Sequence, residues 1–190
     1  MSSAREFATV DLIAVSCAET RGVDAFALAL IKAERQIRRL VTHLVYQFPC
    51  FTANHISPLR DELWKNRAVF FEGFVRGFDA LYPRSVAQLM GNRYTQLRPI
   101  LDEAIEHRNK IFHGQLTARF LTRQDLVDLA TDIKVWCTSL GAGAGAEVGF
   151  DGFGRNSFQK STMPDLWKRC RVEFGSVAAY QAFISAHMER

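Results

Sequence analysis

Apolar residues recur at three- and four-residue steps along most of the chain, the period of helices with one buried side. Over residues 23–48 the repeat is Phe26, Leu30, Ala33, Ile37, Leu40, Val41, Leu44, Val45 and Phe48, which predicts a long helix ended by Pro49. Residues 5–19 carry a weaker version (Phe7, Val10, Leu12, Ile13, Val15), a short helix resting on the main body before a break at Arg21-Gly22. Ser57-Pro58 supplies an N-cap and a proline suited to the first helical position. Leu59, Leu63, Phe70, Phe71, Phe74, Phe78 and Leu81 then predict a second long helix, closing near Tyr82-Pro83. Gly73 and Gly77 within it either permit close helix approach or are surface glycines costing ~1 kcal/mol each. Ser85 with Gln88 fits a capping box for a short helix ending at Gly91. Pro99 then opens PILDEAIEHRNKIFHG, with Gly114 as its stop. A connecting loop over 115–121 leads to Thr122, an N-cap with Asp125 at N3, and to the inward face Leu126, Leu129, Ala130, Ile133, Trp136, Cys137 and Leu140.

The pattern changes at GAGAGAEVGFDGFGRNS, residues 141–157, with six glycines in 17 positions. So much backbone freedom predicts an end of helix at residue 140 and a hinge, linker or pair of short strands beyond. Pro164-Asp165-Leu166-Trp167 opens a short helix, and Ser176 caps a last one with Val177, Tyr180, Phe183 and Ile184 inward. The expected fold is all-α: an antiparallel bundle of four to five main helices, a Gly-rich loop and a C-terminal helical appendage. By residue it divides into a bundle over 1–140, a loop or linker over 141–160 and a helical segment over 161–190 that packs back on the bundle.

Composition narrows this little. The chain has 190 residues, enough for one domain with an appendage, and is 48% hydrophobic with 15 phenylalanines. Cys17, Cys50, Cys137 and Cys170 are far apart and form no C-x-x-C, which argues against a zinc site and for reduced thiols in a cytoplasm. No apolar run is long enough for a membrane span, and the first 22 residues are too acidic and interrupted for a signal peptide. A cytoplasmic protein is expected. No nucleotide-binding glycine pattern, metal-binding cluster or cofactor motif occurs; Glu103 and His107 fit an ordinary surface pair. The formal charge of +4 admits a polyanionic partner. Lys32, Arg35, Arg38 and Arg39 share the polar side of the 23–48 helix, a pattern open to two readings: a basic face for RNA phosphates or a solvated surface. Arg155 and Lys160, set among small and aromatic residues, suit contact with a single strand; the alternative is a loop that docks its phenylalanines on the bundle.

The sharpest chemistry lies in Arg108-Asn109-Lys110-Ile111-Phe112-His113-Gly114. Helical phase puts Leu101, Ala104, Ile105, Arg108 and Phe112 on one stripe, so Arg108 stands where a packing helix would place a leucine. Arginine grips phosphate oxygens with a planar fork, and histidine moves protons near neutrality. Five residues give roughly 140° of rotation and ~7.5 Å of rise, so the two side chains of one copy diverge. A second copy across a two-fold axis would gather two of each around one cleft.

R-N-x-x-x-H-G resembles the signature of HEPN domains, helical proteins of which many are metal-independent RNA endonucleases in toxin–antitoxin, phage-defence and RNA-processing systems. The motif spans seven residues, and the compatible helical pattern covers about residues 23–140. The resemblance implies RNA cleavage by attack of the ribose 2′-OH on the adjacent phosphorus, with no cofactor. It assigns Arg108 to transition-state charge, His113 to general acid or base catalysis, and Asn109 to orienting the histidine or holding a phosphate oxygen, with Lys110 adding charge. It also implies a homodimer with a composite site, and an antitoxin or a nucleotidyltransferase as partner. A non-catalytic RNA- or nucleotide-binding module is the alternative.

Overall fold

The computed structural model describes residues 3–66, 68–115 and 120–189, with the side chains of residues 3 and 4 excepted. Among these residues the protein is all-helical, with no strand. The helices are α1 (Ser3–Ala14), α2 (Arg21–Tyr46), α3 (Ile56–Lys65), α4 (Phe71–Leu81), α5 (Val86–Met90), α6 (Asn92–Phe112), α7 (Arg123–Val148) and α8 (Val177–His187). No helix among the described residues is long and apolar enough to cross a membrane.

Three helix starts written in local chemistry, at Ser85, Thr122 and Ser176, are where the sequence puts them, whereas α3 begins at Ile56 with His55 as its N-cap, so Ser57 and Pro58 lie inside the helix and not at its cap. The Ser85 hydroxyl accepts from Gln88 N at 3.2 Å while the Gln88 side chain accepts from Ser85 N at 2.9 Å. Thr122 and Asp125 make the same reciprocal pair, and Ser176 accepts from Ala179 N at 3.2 Å. Each cap satisfies backbone donors that a helix N-terminus otherwise leaves bare.

Four expectations are corrected by tertiary contacts. The predicted helix over 57–82 is two, α3 and α4. Asn66 leaves helical geometry at ψ 100° and its Oδ1 accepts from Ala68 N at 2.9 Å, a local turn that interrupts the apolar repeat. The motif helix begins at Asn92, not Pro99, and carries the proline inside. Buried Leu97 and Leu101 on either side, with Arg98 clamped by Asp102 and Glu72, hold the turns around it. The third correction concerns the glycine-rich run: residues 141–148 are helical and belong to α7, so no loop or boundary begins at residue 141. Gly143 lies flat against the backbone of Leu89 in α5, where a Cβ would overlap the carbonyl oxygen. Close packing at Gly143 offsets the helix propensity given up there. Lastly, the bundle is not uniformly antiparallel. Gly22 abuts Arg123, and Gln36 Nε2 donates to the Cys137 carbonyl at 2.8 Å, so α2 and α7 run parallel in matched register. The expected 115–121 loop falls partly on residues 116–119, outside the described residues.

Beyond α7 the irregular segment 149–163 is laid along α2 as a strap. Side chains of α2 at positions 36, 39 and 43, with Gln47 just past its end, bond to its backbone. Gln36 donates to the Asp151 carbonyl at 2.8 Å, and Arg39 donates to the carbonyls of Phe153 at 2.7 Å and Arg155. The His43 Nδ1 lies 3.3 Å from the Ser157 carbonyl, and Gln47 bonds both Gln159 O and Ser161 N. Phe150 and Phe153 are buried, in the same core cluster as α2 and as Phe174, Tyr180 and Phe183 of the C-terminal segment.

This packing can be tested through stability. Gly73 of α4 faces the Met188 carbonyl at the end of α8, and a Cβ would collide with that oxygen, so the close-approach reading of this glycine holds. Gly73→Ala should lower unfolding stability by ~1–3 kcal/mol in chemical denaturation. Gly145→Ala, with nothing within 4 Å of the added carbon, should raise it by up to ~1 kcal/mol. Burial, and then the neighbouring Arg155 charge, push the His43 imidazole from its ordinary 6.5 down to about 4. The unfolded chain therefore binds the extra proton first, and stability should rise with pH between about 4 and 6.5, by up to about 3 kcal/mol. Denaturant midpoints in that range should change less steeply for His43→Gln than for the wild type.

Candidate functional site

The buried side of α6 is Leu97, Leu101, Ala104 and His107. The stripe is thus rotated from the one the sequence suggests. His107 takes the inward position, with Nε2 3.1 Å from Glu103 Oε1, and Phe112 is 62% exposed. Arg108 sits at the edge between core and solvent, its side chain 22% exposed. Its Nη1 meets Glu34 Oε1 of α2 at 3.0 Å, and its Nε donates to Asn109 Oδ1 at 3.2 Å. Asn109 therefore orients the arginine, whereas the resemblance assigns it to the histidine or a phosphate. A guanidinium has five N–H donors, so this arrangement holds the fork in place and leaves donors over. Lys110 pairs with Glu106 one turn back at 2.6 Å.

His113 caps the C-terminus of α6. Gly114 follows with φ 64°, Gln115 N bonds Lys110 O at 2.8 Å, and Gly114 N bonds Ile111 O at 3.1 Å, so the chain turns away sharply. The imidazole is left exposed and makes no side-chain hydrogen bond to the described residues. Arg108 and His113 are not brought together within one copy. Arg108 lines a cavity of about 360 Å³ with Ile31, Glu34, Arg35, Arg38 and the aromatic start of α4. His113 lines neither this cavity nor the larger one beside it.

That larger cavity, of about 660 Å³, shares Arg35, Arg38, Val69 and Phe74 with the first, so the two form one groove along α2. Its other walls are Arg39 and Thr42 of α2, Arg60, Leu63 and Trp64 of α3, and residues 156–158 of the strap. The basic face expected on α2 is thereby sorted. Lys32 turns away, 3.7 Å from Glu6 of α1. Arg39 is tied to the strap carbonyls, and its guanidinium pKa is held down by burial and then by the charge of Arg35. Arg35 and Arg38 are exposed in the groove and make no side-chain ion pair or hydrogen bond among the described residues.

Arg155 and Lys160 lie apart from Arg108, with their head groups engaged by backbone. Arg155 Nη2 donates to the Gly149 carbonyl at 3.0 Å, at the end of α7. Lys160 Nζ donates to the Tyr46 and Phe48 carbonyls at 2.6 and 2.9 Å, at the end of α2. Cations there neutralise the negative end of a helix. Residues the motif did not reveal are Glu34, Arg60 and Trp64. They stand on helices far from it in sequence, and a surface arginine or tryptophan carries no periodic signal. No protein-family model, curated protein or solved structure matches the chain.

Proposed function

We propose that this protein is a metal-independent endoribonuclease of the HEPN type, acting as a toxin or defence effector whose catalytic site is completed by a second copy. The observation that carries the reading is the placement of Arg108: a permanently charged fork, oriented by Glu34 and Asn109, opening into an arginine-lined groove. The exposed imidazole of His113 at the end of the same helix, without a side-chain partner among the described residues, is the matching proton carrier. In one copy these groups diverge, and a second copy across a two-fold axis supplies the histidine that faces a given phosphate.

In the proposed reaction one histidine takes the ribose 2′ proton as the 2′-oxygen bonds to phosphorus. The bond from phosphorus to the 5′ oxygen breaks, and a protonated histidine returns a proton to that oxygen. The products are a 2′,3′-cyclic phosphate and a 5′-hydroxyl. Arg108 donates to the phosphoryl oxygens, where negative charge accumulates in the transition state. An antitoxin or other partner that covered the arginine groove would silence the enzyme.

A second reading, RNA or nucleotide binding without cleavage, is favoured by one feature: Arg108 opens into the groove without help from His113. The two separate on one experiment. RNA is incubated with purified protein in EDTA and the product ends are analysed. His113→Ala should slow cleavage by ~10²–10⁴-fold and Arg108→Ala by ~10²–10³-fold, each with an unchanged helical spectrum. Wild-type protein that leaves RNA intact, or a fully active His113→Ala, would refute the nuclease. Intact RNA together with weakened binding in Arg108→Ala would establish the binding module.

A further inference from the structure

We propose that the groove along α2 binds an unpaired polynucleotide strand, with Arg35 and Arg38 on its phosphates and Trp64 stacked on a base, and that this strand leads to Arg108. The inference deepens the nuclease reading by naming the form of the RNA, and rests on it for that identity. Three observations carry it. The groove is elongated: its wall on α2 reaches from Ile31 to Thr42, about 16 Å of helix axis, which is room for several phosphates in file. Its charge is unbalanced and available. Arg35 and Arg38 stand one turn apart without anionic partners among the described residues, and Glu34, the one carboxylate in the lining, is engaged by Arg108. Like charges held this close in a concave surface favour an anion that bridges them.

The third observation selects among anions. Trp64 is 82% exposed, on the wall of the same cavity. A large indole left in water beside arginines is the arrangement that binds unpaired bases by stacking and their backbone by charge. Paired bases in a duplex present no free face to it, and an acidic peptide offers nothing flat to stack. Arg60 lines the same cavity with its guanidinium over the Phe158 ring, 5.2 Å from its centre, which adds a cation beside the aromatic surface.

The test uses the full chain carrying His113→Ala, so that binding is read without cleavage, and a labelled single-stranded oligoribonucleotide followed by fluorescence anisotropy. The Arg35→Ala/Arg38→Ala double variant should bind at least tenfold more weakly at low salt. Its slope of log affinity against log salt should be shallower by about 1.4, from ~0.7 per lost phosphate contact. Trp64→Ala should lose about fivefold or more at every salt concentration, with the slope unchanged. The same sequence as single-stranded DNA should bind within a few-fold, since neither arginine nor indole reads the 2′-OH. Unchanged affinity or slope in the arginine variant overturns the proposal. So does equal binding by an RNA duplex or by polyglutamate, or a tenfold preference for RNA over DNA. Because cleavage is measured separately, its absence with groove binding intact sinks only the nuclease reading, and cleavage that survives in the arginine variant with unchanged binding sinks only the groove.

Discussion

A ladder of polar side chains along α2 and its C-cap residue holds the strap over residues 149–163 in place. Gln36, Arg39, His43 and Gln47 are spaced by three or four residues, so they line one side of the helix and reach the carbonyls of the strap in turn. An irregular backbone cannot satisfy itself, and burying it unbonded would cost more than its phenylalanines return. With the ladder in place Phe150 and Phe153 reach the core. Its low dielectric explains why the imidazole in the middle stays neutral. The lysine and arginine that closed helix ends require, Lys160 and Arg155, are supplied by the strap itself.

The same stripe decides what the other side of α2 presents. Once Arg39 is turned onto the strap and Lys32 onto α1, Arg35 and Arg38 are left at the helix edge between α3, α4 and α6. The strap returns at Asn156, Ser157 and Phe158 to form one wall of the resulting groove, and Phe158 backs Arg60. The groove is thus a by-product of how the core is sealed. Its shape depends on buried hydrogen bonds, while much of its charge comes from Arg35 and Arg38, which make no side-chain bond among the described residues.

What could be read from sequence was local. Caps at Ser85, Thr122 and Ser176 involve residues three apart, and the Arg–Asn–His run is contiguous, so each was legible. What escaped depends on a distant partner. The glycines of α7 look like helix breakers until Leu89 is placed against Gly143. The stop at Asn66 hides inside an unbroken apolar repeat. On α6 the repeat pointed to Arg108 inward and His107 at the surface; packing turned His107 inward and left Arg108 at the edge, since a buried guanidinium would need its full set of partners. Of the candidate site, the motif was visible and its companion Glu34 was not, because nothing in a sequence ties a glutamate to an arginine 74 positions later.

The pairing of Arg108 with Glu34 bears on how such a site could work at all. The pair is partly buried, and with five N–H donors on the guanidinium it aims the fork while leaving donors over. Under the proposed reading, a phosphate arriving in the groove meets Arg35 and Arg38 first, which have no such partner among the described residues, and then a guanidinium already aimed. Ground-state affinity then comes from Arg35 and Arg38, and Arg108 is kept for the charge that grows during reaction, the division that raises rate more than binding. His113 is the reverse case. Exposed, and with no side-chain hydrogen bond among the described residues, it lacks the orienting partner and the dry surrounding that the proposed proton carrier would need. A surface brought against the end of α6 by a second copy would supply both, and the exposed ring of Phe112 beside it gives such a surface something apolar to cover.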